Sequence, residues 1–255
     1  MVDSIPLDWL TAGLLEPSTA VILLLVSALA SFITAALGIG GGVLLLATLA
    51  SAIPIAALIP VHGLIQLGSN GNRALMTRPH VDWQMVKYFA IGAVIGALVA
   101  SLIVVQLPLQ MIQLAVAGFI LFLIWGPKPK KRELSVYGRM MAGGLTTLAS
   151  MFVGATGPLV AGFVHRGDYD KLTHTATFAT CMTFQHCLKG VVFIGVGFAF
   201  WQWLPFVATM IASGAVGSWL GLKALNRIPA HHFKRIFRIV ITAMAIRLIW
   251  QAVGT

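Results

Sequence analysis

The sequence predicts an all-α polytopic membrane protein made of two inverted repeats, each a short broken-helix hairpin followed by three transmembrane helices. Composition is the first reason, because 58% of the 255 residues are hydrophobic and 9% are charged, against roughly 25% charged residues in soluble chains. Several segments approach the ~20 apolar residues that a helix needs to cross a bilayer, and no alternating β pattern recurs. The order of the elements also recurs after a basic central segment.

The first predicted repeat, residues 1–126, is organised around the glycine-rich sequence LGIGGG at 37–42. An apolar run at 19–36 precedes the glycines, and the run at 40–52 after them is too short to cross a membrane at ~1.5 Å per residue. Non-helical backbone at membrane depth is tolerated only inside protein or beside a cavity, so we expect a hairpin that turns within the membrane. Three longer segments, at 55–76, 83–106 and 108–125, complete the repeat.

A basic linker at residues 127–138 leads to the second predicted repeat, residues 139–255, which also begins with a short apolar run and a break, the sequence GATGP at 154–158. The later segments are 159–164, a charged loop at 165–171, and longer runs at 173–200, 203–222 and 231–253. In this scheme Gly38 and Gly41 correspond to Gly154 and Gly157, Gln66 to Gln185, and Asn70 to Lys189.

The basic residues predict the orientation of the chain. The formal charge of +10 could suggest nucleic acid, but the Lys and Arg residues lie between apolar segments, and they collect in loops that share one side of the predicted bundle. That side is predicted to be cytoplasmic, with both termini outside, and no nucleic-acid partner is expected. Each half crosses an odd number of times, so the second half enters from the opposite side, as in secondary transporters with a midplane site.

Two polar stripes are the best candidates for a binding site. On the helix from Pro60, the residues His62, Gln66, Asn70 and Arg73 share one face, because side chains four apart line up at ~100° per residue. Polar groups inside a membrane usually face a cavity, although hydrogen bonds between helices and snorkelling of the cations to the interfaces remain alternatives. The second repeat offers a matching stripe, with His174 and His186 beside it: Thr177, Cys181, Gln185 and Lys189.

The glycines have two interpretations. Small residues allow close packing between helices, but a helix that begins at Gly42 or Gly157 also exposes backbone N–H groups that suit an anion. GIGGGV does not complete a dinucleotide-binding motif, and no cofactor is expected. Cys181 and Cys187 have neither disulfide nor metal-ligand spacing, so both are expected to be small core residues, and no metal site is predicted.

The acidic residues are informative because all seven lie at the N-terminus or in predicted loops. A cavity with cations, amides and imidazoles but no carboxylate favours an anionic substrate. If transport is coupled to protons, then His62, His174 or His186 carries the proton, or the substrate does. The predicted substrate-binding residues are Gly40, Gly41, Gly42, His62, Gln66, Asn70, Arg73, Gly157, Cys181, Gln185 and Lys189.

The GIGGG break, the segment PVHGLIQLGSNGNRA at 60–74, the basic linker and the weaker second copy together resemble the sulfite exporter TauE/SafE family of bacterial membrane proteins. The second half departs from the family pattern, since GATGP replaces a glycine run. The resemblance implies a multi-pass transporter in the cytoplasmic (inner) membrane that moves small sulfur-containing anions such as sulfite or organosulfonates. It does not fix the anion, and it leaves homodimer formation open.

An alternating-access exporter or facilitator is therefore the leading hypothesis. An anion channel is one alternative. An intramembrane enzyme acting on a lipid or quinone is the other, although the apolar segments contain neither HEXXH, nor G-x-S-x-G, nor a carboxylate pair.

Overall fold

A computed structural model describes residues 15–38, 40–103, 108–127, 133–165, 167–225 and 230–253, without the side chains of 230–237. Within these ranges all regular secondary structure is helical, which confirms the all-α prediction. Several residues of the sequence analysis lie outside the described part. They are the N-terminal Asp3 and Asp8, the linker cations Lys128, Lys130, Lys131 and Arg132, the loop residue Arg166, and the side chains of His231 and His232, which were expected in or beside a cytoplasmic loop.

The described part of the first half contains five α-helices. Their bounds are α1 Pro17–Leu37, α2 Gly41–Ala50, α3 Ile55–Thr77, α4 Trp83–Ser101 and α5 Leu109–Trp125, with a short 3₁₀ turn at Arg78–His80. The segment predicted at 83–106 was too long, because α4 ends at Ser101. The short α2 begins only three residues after Gly38, the C-cap of α1.

The second half repeats this order of long and short helices. Its elements are α6 Val136–Val153, α7 Gly157–Val164, α8 Lys171–Gly195, a 3₁₀ turn at Phe200–Trp203, α9 Leu204–Ala224 and α10 Ala230–Val253. Two boundaries differ from the prediction by about three residues or more. Helix α6 begins inside the supposed linker because the Ser135 hydroxyl accepts a bond from the N–H of Gly138, and α8 ends at Gly195, near Gly197, whose φ is +87°.

Three of the described helical segments are long and apolar enough to cross a membrane, namely Pro17–Leu37, Trp83–Ser101 and Phe200–Ala224. Their outer faces carry large exposed hydrophobic side chains, such as Leu25 on α1 and Leu98 on α4. Apolar surface this extensive is unusual on a soluble protein. The chain is therefore an α-helical membrane protein.

The helices pack in pairs that join the two halves. Helix α3 lies against α8 and α5 against α10, while α1 packs on α9 and α4 packs on α6. Glycine permits the closest of these contacts, because a Cβ on Gly92 would lie 1.8 Å from the carbonyl oxygen of Met140, and a Cβ on Gly217 would lie 2.0 Å from that of Ala28. Small residues give helices in membranes this close approach. The two short helices, α2 and α7, lie against α3 and α8 respectively.

Candidate functional site

The two helix breaks have the same local construction. Helix α1 ends at Gly38, which has φ +87° and donates its N–H to the carbonyl oxygen of Thr34 at 2.9 Å. Helix α6 ends at Gly154, which has φ +81° and donates to the carbonyl oxygen of Ser150 at 3.1 Å. A positive φ is strained for residues with a Cβ, so glycine stops the helix at both points. In each half the next short helix then begins within three residues.

A small cavity lies between the two breaks. Its volume is about 20 Å³, which is enough for roughly one water molecule. Both halves supply its walls. The lining residues are Thr34, Gly40, Gly42, Val43, His62, Gln66 and Asn70 from the first half, and Ala155, Gly157, Pro158, Phe178, Met182 and His186 from the second.

The four side chains of the polar stripe on α3 are buried, and hydrogen bonds join three of them, from Gln66 through Asn70 to Arg73. The Asn70 amide nitrogen donates to Gln66 Oε1 at 3.1 Å and to the Gln66 carbonyl oxygen at 2.8 Å. Arg73 Nη1 donates to Asn70 Oδ1 at 3.3 Å, while Arg73 Nε is buried without a partner. The sequence therefore placed His62, Gln66 and Asn70 correctly on one surface, and that surface is a wall of the cavity. Arg73 lies one turn beyond it.

His62 fixes the direction of the hydrogen bonds in this row. Its Nε2 lies 3.0 Å from the carbonyl oxygen of Gly42, and because a carbonyl can only accept, Nε2 must carry the hydrogen. The same nitrogen therefore cannot accept from Gln66 Nε2, which lies 3.4 Å away. Since Gln66 Oε1 is already bonded to Asn70, the Gln66 N–H groups remain available as donors in the cavity wall.

His186 faces the same cavity from the second half. The ring centroids of His186 and His62 are 6.2 Å apart in an edge-to-face arrangement, and both residues line the cavity. In each ring Nδ1 is buried and has no hydrogen-bond partner. His186 was absent from the predicted site because it lies one residue off the four-residue interval of the α8 stripe.

The predicted residues of α8 lie outside the cavity wall. Gln185 accepts a bond from the Thr146 hydroxyl at 3.2 Å and donates to Thr156 Oγ1 at 2.8 Å, so it ties α8 to α6 and to the second break. Lys189 is fully buried and donates from Nζ to the carbonyl oxygen of Gly154 at 2.9 Å. This places a cation at the negative end of the α6 dipole. Neither side chain snorkels to an interface.

The two cysteines occupy different surroundings. Cys181 packs in an apolar cluster with Met85, Phe89 and Phe178 rather than lining the cavity. Cys187 is exposed, so the expectation that it is a core residue was wrong. The expected glycine positions divide similarly, because Gly40, Gly42 and Gly157 line the cavity while Gly41 packs on the α1 backbone.

The starts of α2 and α7 add backbone donors. Among the described residues, no acceptor pairs with the N–H groups of Gly41, Gly42 or Gly157, whereas the next amides of α2 bond to the carbonyl oxygen of Gly40. The first N–H groups of a helix carry a partial positive charge and favour an anion. Pro158 removes one donor from α7, so α2 offers the better-supplied helix start.

The charge around the cavity is positive. Arg73 and Lys189 are buried within one helical turn of Asn70 and His186 respectively, and the described residues include no buried Asp or Glu. Arg139, the remaining buried cation among them, pairs with Glu133 at 3.8 Å. Two buried cations without a carboxylate partner are costly, and an anion in the cavity would reduce that cost.

Taken together, the helical fold, the lipid-facing surface and a polar cavity between two broken helices define an α-helical membrane protein of the transporter class. The family model of the sulfite exporter TauE/SafE matches residues 23–248, most of the chain. The chain therefore belongs to the sulfite exporter TauE/SafE family, and the resemblance noted from the sequence is confirmed. No match was found among the curated proteins or the solved structures.

Proposed function

We propose that this protein is a secondary transporter that exports or facilitates passage of a small sulfur-containing anion, such as sulfite or a sulfoacetate-like organosulfonate, by alternating access. One observation carries the proposal: the cavity between the two breaks is lined by N–H donors and imidazoles and flanked by buried cations, with no buried carboxylate among the described residues. Family membership supplies the substrate class. An enzyme that acts on a lipid or quinone has no comparable support.

In the proposed site the anion accepts hydrogen bonds from the Gln66 amide and from the backbone N–H groups at Gly42 and Gly157. Arg73 and Lys189 contribute positive potential without touching the anion in the conformation described here. Of the sequence-predicted residues, Gln185 and Cys181 then act on the surroundings of the site, and Gly40, Gly41, His62 and Asn70 shape or position its walls. At about 20 Å³, the cavity described here must widen before it admits such an anion.

Inverted repeats over residues 1–126 and 139–255 are part of the proposal. The helix pairs support them, because exchanging each helix for its counterpart turns the α1–α9 contact into the α6–α4 contact and returns α3–α8 and α5–α10 to themselves. The α3–α9 and α4–α8 contacts exchange in the same way. We further propose the inner membrane, with the basic loops in the cytoplasm and both termini outside.

The test uses purified protein in detergent, titrated with sulfite and sulfoacetate and followed by thermal unfolding, since a ligand stabilises the state it binds. We expect Gln66→Ala to weaken binding by about 10- to 100-fold, because a hydrogen bond to a charged group contributes roughly 1.5–3 kcal/mol. Gln113→Ala is the matched control. This amide donates to the carbonyl oxygen of Leu248 on α10 and is not in the cavity wall. Unchanged affinity in the Gln66 variant would refute the proposed site.

Counterflow in proteoliposomes separates a carrier from a channel. Anion on the opposite side accelerates uptake of labelled anion through a carrier, whereas a simple pore shows no such acceleration. Counterflow by the wild-type protein that is weakened in the Gln66 variant would support the proposal. Passive anion flux that is not accelerated by anion on the opposite side would show that the protein is a channel rather than a carrier.

A further inference from the structure

The two cavity histidines have an unusual hydrogen-bond deficit. Nδ1 of His62 and Nδ1 of His186 are both buried and both without a partner, and a buried polar atom that makes no hydrogen bond destabilises the protein. The two rings come from opposite halves and lie 6.2 Å apart across the cavity. An inert polar lining would satisfy these nitrogens with protein groups, as Gln185 and Lys189 are satisfied nearby.

The tautomer of His62 determines what its free nitrogen can do. Because Nε2 donates to the carbonyl oxygen of Gly42, Nδ1 of the neutral ring carries a lone pair and can only accept. An anion without a hydrogen also only accepts, so the two repel each other unless a proton lies between them. Addition of one solvent proton to the lone pair forms an N–H bond and turns Nδ1 into a charged donor.

The charges around this pair explain when that proton binds. Arg73 on α3 and Lys189 on α8 are the cations beside it, and Cys181 on α8 is buried on the other side of that helix in the apolar cluster. Helices α1, α2 and α7 contain no titratable side chain. Those of α4, α6 and α9 lie outside the cavity wall: Lys87, Tyr88, Tyr137, Arg139 and Lys223. An imidazolium would thus be a third buried positive charge, which is unfavourable until an anion enters and offsets it.

We propose that the anion and one proton bind together in this cavity, with His62 and His186 as the proton-binding residues. The inference rests on the proposed function and adds the coupling ion. It selects two of the three candidate histidines, since His174 lies outside the cavity wall and its Nε2 contacts the carbonyl oxygen of Ala161 at 2.9 Å. Because linkage is reciprocal, bound anion favours the proton and bound proton favours the anion.

The experiment is isothermal titration calorimetry with sulfoacetate and with sulfite at pH 8, each in two buffers that differ in ionisation enthalpy. The difference in observed heat between buffers gives the number of protons taken up for each anion bound. Sulfoacetate is the cleaner probe, because neither of its acid groups titrates near neutral pH. At this pH a free imidazole with the ordinary pKa of about 6.5 is neutral, so we expect uptake to approach one proton per anion.

The variants His62→Gln and His186→Gln are expected to take up less than half as many protons for each anion they still bind. His174→Gln is the matched control and should keep the wild-type proton number. Anion binding by the wild-type protein without proton uptake would overturn the coupling and leave the anion site standing. Absence of binding for both anions would overturn the proposed function and the coupling with it. Loss of proton uptake in the His174 variant would show that His62 and His186 are not the proton-binding pair.

Discussion

The substitution Gly42→Ala tests whether Gln66 is held in place by the first break. A Cβ at position 42 would lie 2.6 Å from Gln66 Nε2, about 1 Å closer than ordinary van der Waals contact. The amide is the flexible end of a side chain, so it can move away, but it then leaves the cavity wall and loses its bond from Asn70. That bond stabilises the fold by about 0.5–1.5 kcal/mol, while replacing glycine in a helix regains up to ~1 kcal/mol. The net change in stability is therefore expected to stay within about 1 kcal/mol.

Anion binding should respond differently from stability. Displacement of the Gln66 amide removes a donor that contributes roughly 1.5–3 kcal/mol to binding a charged ligand, so affinity should fall by about 10- to 100-fold. The assay is thermal unfolding without ligand, followed by calorimetric titration with sulfite and sulfoacetate. The measured quantities are the unfolding midpoint and the dissociation constant of each variant.

The neighbouring glycine supplies the contrast. A Cβ on Gly41 would lie 1.7 Å from the carbonyl oxygen of Ala30, and because this is backbone, α2 must separate from α1. We expect Gly41→Ala to destabilise by at least 1–3 kcal/mol. Gly118→Ala on α5, where nothing lies within 4 Å, should change neither quantity by much. Wild-type affinity in Gly42→Ala, or wild-type stability in Gly41→Ala, would refute the reasoning.

Three further predictions concern stability. Lys189→Ala leaves the Gly154 carbonyl oxygen without its donor, and we expect chemical denaturation to show a free energy of unfolding lower by about 1–3 kcal/mol. The control is Lys223→Ala, because Lys223 Nζ lies over the exposed Trp219 ring; this variant should lose less stability. Gly92→Ala and Gly217→Ala should lower the unfolding midpoint by amounts similar to each other, because the added Cβ atoms would lie 1.8 Å and 2.0 Å from a backbone carbonyl oxygen of the partner helix. A strong effect of only one substitution would argue that the α4–α6 and α9–α1 contacts are not equivalent. The N–H of Thr173 holds the pKa of the Asp170 carboxyl below its ordinary value, so its contribution to stability is present at neutral pH and is lost as the pH falls below about 4. Asp170→Asn should flatten the pH dependence of the unfolding midpoint in that range, and an unchanged acid slope would contradict this.

The sequence predicted the existence and order of the helices well, because hydrophobic runs of helix length and glycine breaks are local signals. Its errors lie at boundaries set by single side chains. The predicted linker at 127–138 overlaps the start of α6 at Val136, and the adjoining Arg139 is buried in this helix and donates from Nε to the carbonyl oxygen of Leu134. Composition alone does not reveal that a buried cation can donate a hydrogen bond to a nearby backbone carbonyl oxygen.

The residues that line the cavity could be predicted only in part from the sequence. Four-residue periodicity on α3 identified His62, Gln66 and Asn70, all of which line the cavity. The same rule applied to α8 selected Cys181, Gln185 and Lys189, whereas the cavity receives Phe178, Met182 and His186 from that helix. These three also recur at four-residue spacing, so periodicity found the interval but not the face. Which face of α8 meets the cavity depends on its rotation against α3, and no pattern within α8 encodes that rotation.

The placement of the two cations bears on how a transporter releases its cargo. A carrier must bind its anion well enough to load and weakly enough to unload, and a direct contact with Arg or Lys in a buried site would hold it tightly. Here Lys189 is bonded to Gly154 and Arg73 to Asn70, so each cation already donates a hydrogen bond to the protein. In the proposed mechanism they attract the anion over a distance, while the Gln66 amide, the backbone N–H groups at the glycine breaks and the protonated imidazole make the contacts. The substitution Pro158→Gly would add one backbone donor at the start of α7 and make the second break more like LGIGGG. We expect this variant to bind the anion more tightly but to show slower counterflow. Tighter binding together with equal or faster counterflow would contradict this division of roles.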